Sequence, residues 1–133
     1  MTFVVDASVA VKWILPESGS SAAAALRKLD DDLSAPSLIA VEVGNALWKA
    51  VRRSSVTRSE ALEGFEAALI SLQSLIPIEE LRVRALTLAI ELRHPIYDCF
   101  YLALAQRENA LLVTADEAMF TAARKAKIKA RRI

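Results

Sequence analysis

Short apolar runs alternate along the chain with longer segments in which apolar residues recur every three or four positions. The short runs predict strands at residues 3–5, 33–36, 75–78, 111–114 and 128–131. Pro77 lies in the third run and favours an edge strand or a loop there, because proline cannot donate to a sheet ladder. The longer segments predict helices at residues 7–15, 17–32, 37–53, 57–74, 79–93, 98–108 and 117–125.

The alternation of strands and helices predicts an α/β fold with a short parallel sheet and helices on both faces. Crossovers between parallel strands are right-handed almost without exception. A chain of 133 residues fits a single domain, 1–133, with one core. The segment 98–108 is apolar on nearly every side, so it predicts a helix buried in that core.

Composition excludes several classes of protein. The formal net charge is +1, so no overall charge imbalance indicates a nucleic-acid or membrane partner. The single cysteine, Cys99, excludes an internal disulfide and suits a reducing cytoplasm. We expect no membrane span, because no apolar run reaches the necessary length, and no signal peptide, because charges interrupt the N-terminal apolar stretch.

Four carboxylates stand where the predicted elements meet. Asp6 and Asp116 directly follow apolar strands, and the carboxyl ends of parallel strands lie on one edge of a sheet. Glu42 and Asp98 lie near helix starts that crowd the same edge. Each acid also has a simpler explanation when taken alone: Asp6 can cap the helix that follows it, and Glu42 with Asn45 can face water.

Four acids at one edge would repel one another unless a cation joined them. No histidine or cysteine set accompanies them, so zinc fits poorly, whereas oxygen ligands favour Mg²⁺ or Mn²⁺. The chemistry that such a site suits is phosphodiester hydrolysis, in which a metal activates water and offsets charge on the phosphoryl oxygens.

The motifs VVDASVAVKW, EVGNAL, YDCFYLALA and LLVTAD, in that order, resemble those of the PIN domain and, within it, the VapC-type toxins of bacterial toxin–antitoxin modules. The resemblance covers nearly the whole chain and implies a PIN-like three-layer sandwich. It also implies an Mg²⁺- or Mn²⁺-dependent endoribonuclease, usually a homodimer, that a cognate antitoxin protein holds inactive. The family's acidic positions correspond to Asp6, Glu42, Asp98 and Asp116, and its polar supporting positions to Ser8, Asn45 and Thr114. Glu117 is left outside the predicted site.

Two other functions remain open at this point. A PIN-like fold could serve only to bind proteins, but loss of one or more acids would then be expected, and all four are present. An Asp-nucleophile phosphatase, with Asp6 as nucleophile, would need a second aspartate two residues later, where this chain has Ser8.

Further residues have two interpretations each. His94, the only histidine, is a candidate general base, yet its place before Pro95 favours a structural or solvent role. Lys12 could contact RNA phosphate or pair with a carboxylate of the site. Cys99 neighbours Asp98 but has no partner for nucleophilic catalysis. Trp13 and Trp48 are expected in the core or a dimer interface. The basic tail of Lys125, Lys127, Lys129, Arg131 and Arg132 could bind phosphate or only aid solubility.

Overall fold

Five parallel strands form the centre of the molecule in a computed structural model that describes residues 1–133. The order across the sheet is β3-β2-β1-β4-β5, with every neighbouring pair parallel. The α/β architecture predicted from the sequence is therefore confirmed. The strands are β1 Thr2–Val5, β2 Asp32–Pro36, β3 Ser74–Ile76, β4 Leu111–Thr114 and β5 Ala130–Arg132.

Seven α-helices and one short 3₁₀ turn, Ile78–Glu80, connect the strands. The chain runs from β1 outward to β3 and returns to β4 on the other side of β1. Because right-handed crossovers in opposite directions lie on opposite faces, α1 to α4 cover one face and α5 to α7 the other. The helices are α1 Ala7–Lys12, α2 Ser20–Arg27, α3 Leu38–Arg52, α4 Arg58–Ile70, α5 Arg82–Leu92, α6 Ile96–Glu108 and α7 Glu117–Lys125.

Helix α6 packs against β1, β2 and β4 and is the most buried helix of the fold. Residues 101–105 are all buried, as are Val4 and Val5 of the strand beneath them. The burial predicted for this segment is confirmed. The helix holds Asp98 in its first turn and so fixes that acid to the sheet.

Several boundaries differ from the sequence prediction. The second helix occupies only Ser20–Arg27, because Gly19 at its N-cap has φ +85°, and Asp32 already belongs to β2. The helix predicted at 57–74 ends at Ile70, and Ser74 begins β3. Helix α6 begins at Ile96 rather than at Asp98, since Pro95 with φ −55° suits a helix start.

Local signals nevertheless placed several elements well. Helix α4 begins with a capping box, in which the Glu60 N–H donates to the Thr57 hydroxyl oxygen and the Thr57 N–H donates to the Glu60 carboxylate. Pro77 follows the last residue of the edge strand β3, so its missing N–H removes no hydrogen bond from the sheet. None of the seven helices combines the length and apolar character needed to cross a membrane.

Candidate active site

The chain reverses its direction across the sheet between β1 and β4, which lie side by side. Such a switch point opens a crevice beyond the carboxyl ends of the two strands. Asp6 follows β1 and Asp116 lies two residues beyond β4, so both acids stand at this crevice. The candidate site is therefore set by strand order as well as by sequence.

Asp6 is buried, with only 4% of its surface exposed, and both of its carboxylate oxygens accept hydrogen bonds. Oδ1 accepts from the Val9 N–H at 3.2 Å and from the Ser8 hydroxyl, and Oδ2 accepts from the Thr114 hydroxyl. Asp6 thus caps α1 and also lies in the crevice, so the two interpretations of this residue are compatible. Burial raises the pKa of Asp6 to about 6 against the lowering effect of these bonds, and the charge of Asp98 adds to the rise.

Ser8 and Thr114 connect Asp6 to the loop that bears Asp116. The Ala115 N–H donates to the Ser8 hydroxyl oxygen at 2.9 Å, and the Asp116 N–H donates to the Thr114 hydroxyl oxygen at 3.0 Å. The Asp116 side chain in turn accepts from the Met119 N–H at 2.8 Å and so caps α7. The loop after β4 is therefore bonded to the residues around Asp6.

Glu42 accepts a hydrogen bond from the Tyr101 hydroxyl, with 2.6 Å between Oε1 and Oη. Burial raises the pKa of Glu42, and the charges of Asp98 and Asp6 raise it further, against the opposing effect of the Tyr101 bond. Burial, followed by the charge of Glu42, raises the pKa of Tyr101 far above its usual range, so its phenol remains a hydrogen-bond donor. Tyr101 was not predicted as a site residue. The sequence did indicate it, because its hydroxyl lies three residues after Asp98 on nearly the same face of an apolar helix.

Asp98 forms a hydrogen-bonded pair with the only histidine, with 2.6 Å between His94 Nε2 and Asp98 Oδ2. The two side chains are 16% and 30% exposed. The prediction assigned His94 a structural or solvent role and did not place it beside an acid. Its four-residue spacing from Asp98 was the signal, although His94 itself lies before the helix begins.

All four predicted acids line one cavity of about 300 Å³, which we call the acid cavity. Tyr101 and Ser8 also line it, and Thr114 contacts Asp6 from behind. Asn45 does not line the acid cavity. It lies with Lys12 on a wider cleft of about 550 Å³ that we call the α3 cleft, whose lining also includes Glu42 and Asp116.

The Lys12 ammonium pairs with an acid outside the predicted site, Glu17, at 3.2 Å between Nζ and Oε2. It also donates to the Ser18 carbonyl oxygen. The alternative that Lys12 pairs with a site carboxylate is therefore wrong, because the turn after α1 brings Glu17 to it instead. Its position on the α3 cleft leaves the phosphate contact as a prediction.

The donor set suits a hard divalent cation, because every candidate ligand is a carboxylate oxygen. Glu42 Oε2, Asp98 Oδ1 and Asp116 Oδ1 accept no hydrogen bond from the protein, so each is free to bind a cation. No three acidic, histidine or cysteine side chains converge closely enough in this conformation to hold one ion. Binding would require these carboxylates to move inward.

Two other groups contribute no chemistry. Burial and the charge of Asp98 raise the pKa of Cys99 to about 11, so its thiol is protonated at neutral pH and is a poor nucleophile. The acidic run at residues 30–32 is largely exposed, and Asp31 pairs with the N-terminal ammonium at 3.2 Å. Asp30 and Asp31 lie in the loop before β2, and Asp32 begins that strand.

Comparison with known proteins shows similarity over nearly the whole length. The PIN domain profile matches residues 3–125. The chain is 32% identical over 118 residues to Ribonuclease VapC3 of Pyrobaculum aerophilum, covering 87% of this chain and 90% of that protein. It is 31% identical over 122 residues to Ribonuclease VapC1 of Mycobacterium tuberculosis, covering 90% and 89%.

Solved structures show the same fold. PAE2754 from Pyrobaculum aerophilum superposes with a TM-score of 0.71 at 25% identity, covering 92% of this chain and 79% of that one. VapBC2 from Rickettsia felis, solved bound to a DNA fragment from its promoter, gives a TM-score of 0.72 at 18% identity, covering 100% and 99%. At that identity the second match supports the fold alone.

Proposed function

This chain belongs to the PIN domain family, and we propose that it is a metal-dependent endoribonuclease toxin of the VapC type. The observation that carries the proposal is the acid cavity, in which Asp6, Glu42, Asp98 and Asp116 meet at the switch point of the sheet. Relatives named as ribonucleases, at 32% and 31% identity, support the same reaction.

We propose that Mg²⁺ or Mn²⁺ is held by Glu42, Asp98 and Asp116, with Asp6 at the floor of the cavity. A divalent cation there supplies an activated water and offsets charge on the phosphodiester. The protein's own contribution is positioning. Ser8 and Thr114 hold Asp6, whereas Tyr101 and His94 each contact one carboxylate oxygen of Glu42 and Asp98. The second oxygen of Glu42 and of Asp98 stays available to a cation when these side chains move inward.

The alternatives are less consistent with this geometry. A non-catalytic binding module has no need for four acids around one cavity, which is costly in the absence of a cation. An Asp-nucleophile phosphatase needs a carboxylate oxygen of Asp6 free to attack phosphorus. Both Asp6 oxygens accept hydrogen bonds from Ser8, Val9 and Thr114, and the second aspartate of that mechanism is replaced by Ser8.

The test is cleavage of a labelled single-stranded RNA by the purified protein with Mn²⁺ or Mg²⁺. We expect the parent protein to cleave the RNA and EDTA to stop the cleavage. Asp98→Asn should abolish cleavage, while its circular dichroism spectrum remains that of the folded protein. Asp30→Asn is the matched control, because it makes the same change at an exposed aspartate that does not line the acid cavity. Undiminished cleavage in EDTA, or by Asp98→Asn, would refute the metal mechanism.

We propose two protein partners, a second copy of this chain and a small antitoxin, because two apolar surfaces remain exposed. One is a stripe on α5 in which Val83, Leu86 and Ile90 are 75%, 52% and 70% exposed. Such a stripe suits an isologous dimer, in which the same patch meets itself. The other is a groove of about 330 Å³ between α3 and α4, lined by Trp48, Leu62 and Phe65, whose shape suits an inserted apolar helix.

Substitutions on the two surfaces separate the partners. Leu86→Asp should convert a dimer to a monomer in light scattering and leave antitoxin capture intact. Leu62→Asp should weaken antitoxin capture and leave the dimer intact. A wild-type monomer at micromolar concentration would contradict the dimer, and equal antitoxin affinity in Leu62→Asp and the parent would contradict the groove assignment.

A further inference from the structure

Two wider clefts open from the acid cavity, and all three share Asp116 in their lining. One is the α3 cleft of about 550 Å³. The other, which we call the α7 cleft, has a volume of about 660 Å³ and is lined by residues that include Arg93, His94 and Lys125. Both clefts therefore adjoin the acid cavity at Asp116.

Free cations lie on the α3 side. Glu42, Asn45, Lys49 and Arg53 follow one face of α3 and its C-cap, and all four line the α3 cleft. At 1.5 Å per residue, Arg53 lies about 16 Å along the helix from Glu42. Lys49 and Arg53 are exposed and make no ion pair, whereas the charge of Lys12 in the same cleft is matched by Glu17.

The α7 side has an equivalent pair. Lys125 ends α7, about 14 Å along the helix from the N-cap Asp116, and Arg93, the C-cap of α5, also lines the α7 cleft. Both are exposed and make no ion pair. Glu117 also lines this cleft. Apart from His94 and from Asp116, which belongs to the acid cavity, the cleft is lined by two cations and one acid. The arrangement places positive charge at a distance on each side of a negative centre.

We propose that Lys49 and Arg53 on one side, with Arg93 and Lys125 on the other, form a track that holds the backbone phosphates of a single-stranded nucleic acid on both sides of the cleaved bond. This inference rests on the proposed nuclease function. Without a metal, the acids repel a phosphodiester, so binding energy must come from the two flanks. Ion pairs with phosphate supply such affinity without reading sequence.

A single strand fits this track better than a duplex. Asp6 is at the floor of the acid cavity and is 4% exposed, so the scissile phosphodiester must enter a recess while its neighbours remain on the flanks. A duplex is stiff over about 150 base pairs and cannot bend over this distance at small cost. At about 3.4 Å per stacked nucleotide, each flank spans at most about four or five nucleotides.

The experiment measures binding of a labelled oligouridylate of about 12 nucleotides in EDTA, by fluorescence anisotropy over a range of salt concentrations. The full-length protein is compared with Lys49→Gln/Arg53→Gln, with Arg93→Gln/Lys125→Gln, and with the control Lys28→Gln/Arg82→Gln. The control residues are exposed cations that line neither cleft. Thermal melts establish that each variant is folded.

Each flank variant should make the slope of log affinity against log salt less negative by about 1.4, because each phosphate contact contributes about −0.7 to that slope. The control should retain the parental slope. An oligouridylate of about four nucleotides should keep its own slope in either flank variant, because it can bind to the flank that remains. Unchanged slopes in both flank variants, or equal binding of an oligoglutamate of the same charge, would overturn the track.

The outcomes also separate this inference from the nuclease itself. Salt-sensitive binding that depends on the flanks, without cleavage in Mn²⁺, would support the track and contradict the proposed reaction. Cleavage with parental KM in both flank variants would support the reaction and contradict the track.

Discussion

The Tyr101 hydroxyl donates a hydrogen bond to Glu42 Oε1 over 2.6 Å, although 59 positions separate the two residues in the chain. Tyr101 belongs to the buried helix α6 and is 1% exposed, so its hydroxyl is a fixed point beside the acid cavity. Glu42 lies on α3, which covers the other face of the sheet. This bond therefore joins the two helical layers at the candidate site.

Tyr101→Phe tests what that bond does. The ring still fills its space, but Glu42 loses the donor that orients it. We expect Mn²⁺ affinity and RNA cleavage to fall by about 10- to 100-fold, as for other residues that orient a metal ligand. Mn²⁺ titration followed by electron paramagnetic resonance measures the affinity without relying on turnover. Tyr97→Phe is the control, since Tyr97 is 62% exposed; equal Mn²⁺ affinity in both variants would assign Tyr101 to packing alone.

Asp6 should make the metal-free protein more stable in mild acid. Its pKa is raised from 3.8 to about 6, so the folded chain binds the proton more tightly than the unfolded chain. This contribution is fully present below the unfolded pKa and is lost as pH rises through about 6, with a size of roughly 3 kcal/mol. Urea unfolding in EDTA at about pH 5 and about pH 7.5 measures the part that remains at pH 5, roughly 1.4 kcal/mol. In Asp6→Asn, the free energy of unfolding should differ less between the two pH values than in the parent. The same difference in both proteins would contradict this role of Asp6.

Neutralising Asp98 and neutralising Asp116 should differ in their effects. The charge of Asp98 raises the pKa of both Asp6 and Glu42, so Asp98→Asn should raise the melting temperature in EDTA. Asp116 is exposed, and asparagine caps a helix as well as aspartate does, so Asp116→Asn should leave that temperature nearly unchanged.

Both variants should gain less from Mn²⁺ than the parent, for which linkage gives about 2.7 kcal/mol at a hundredfold excess over Kd. Differential scanning fluorimetry with and without Mn²⁺ measures all of these changes. If Mn²⁺ stabilised Asp116→Asn as much as the parent, Asp116 would be a helix cap and not a metal ligand.

His94→Ala tests whether the histidine transfers a proton or positions Asp98. Removing a general base costs about 100- to 10,000-fold in rate. We expect a smaller loss, of about tenfold, because His94 acts here through its 2.6 Å contact with Asp98 Oδ2. Single-turnover RNA cleavage in saturating Mn²⁺ gives the rate. A loss beyond about a thousandfold, with unchanged Mn²⁺ affinity, would indicate proton transfer instead.

Gly64 should be required for the packing of α4 against Ile14, in the turn that follows α1. A Cβ at Gly64 would lie 2.5 Å from Ile14 Cγ2, whereas a Cβ at Gly44 would meet only Phe65 at 3.7 Å. Overpacking costs about 1–3 kcal/mol, which exceeds the helix-propensity gain of about 1 kcal/mol. Gly64→Ala should therefore lower the free energy of unfolding in urea, and Gly44→Ala should raise it. Greater stability in both would show that Ile14 moves aside freely.

The sequence by itself determined the elements and the positions of the acids. Strand β4 and helix α7 were predicted at their observed bounds, because apolar runs and the helical period are local properties. Placing Asp6 and Asp116 at the end of a parallel sheet required only that each follow a strand. The predicted helix starts placed Glu42 and Asp98 near the same edge, the motif resemblance supported all four acids, and the matched PIN domain profile confirms the family.

Only the tertiary structure decided which side chains hold those acids. The bonds of Tyr101 to Glu42 and of Thr114 to Asp6 span 59 and 108 positions, and no periodicity encodes such contacts. Strand order also lies outside local pattern: β4 pairs with β1 only because the chain crosses back over the sheet. Lys12 pairs with Glu17 because a turn ends α1 early. Local periodicity fixes which residues begin and end an element, whereas the partners of a buried polar group depend on how distant elements pack.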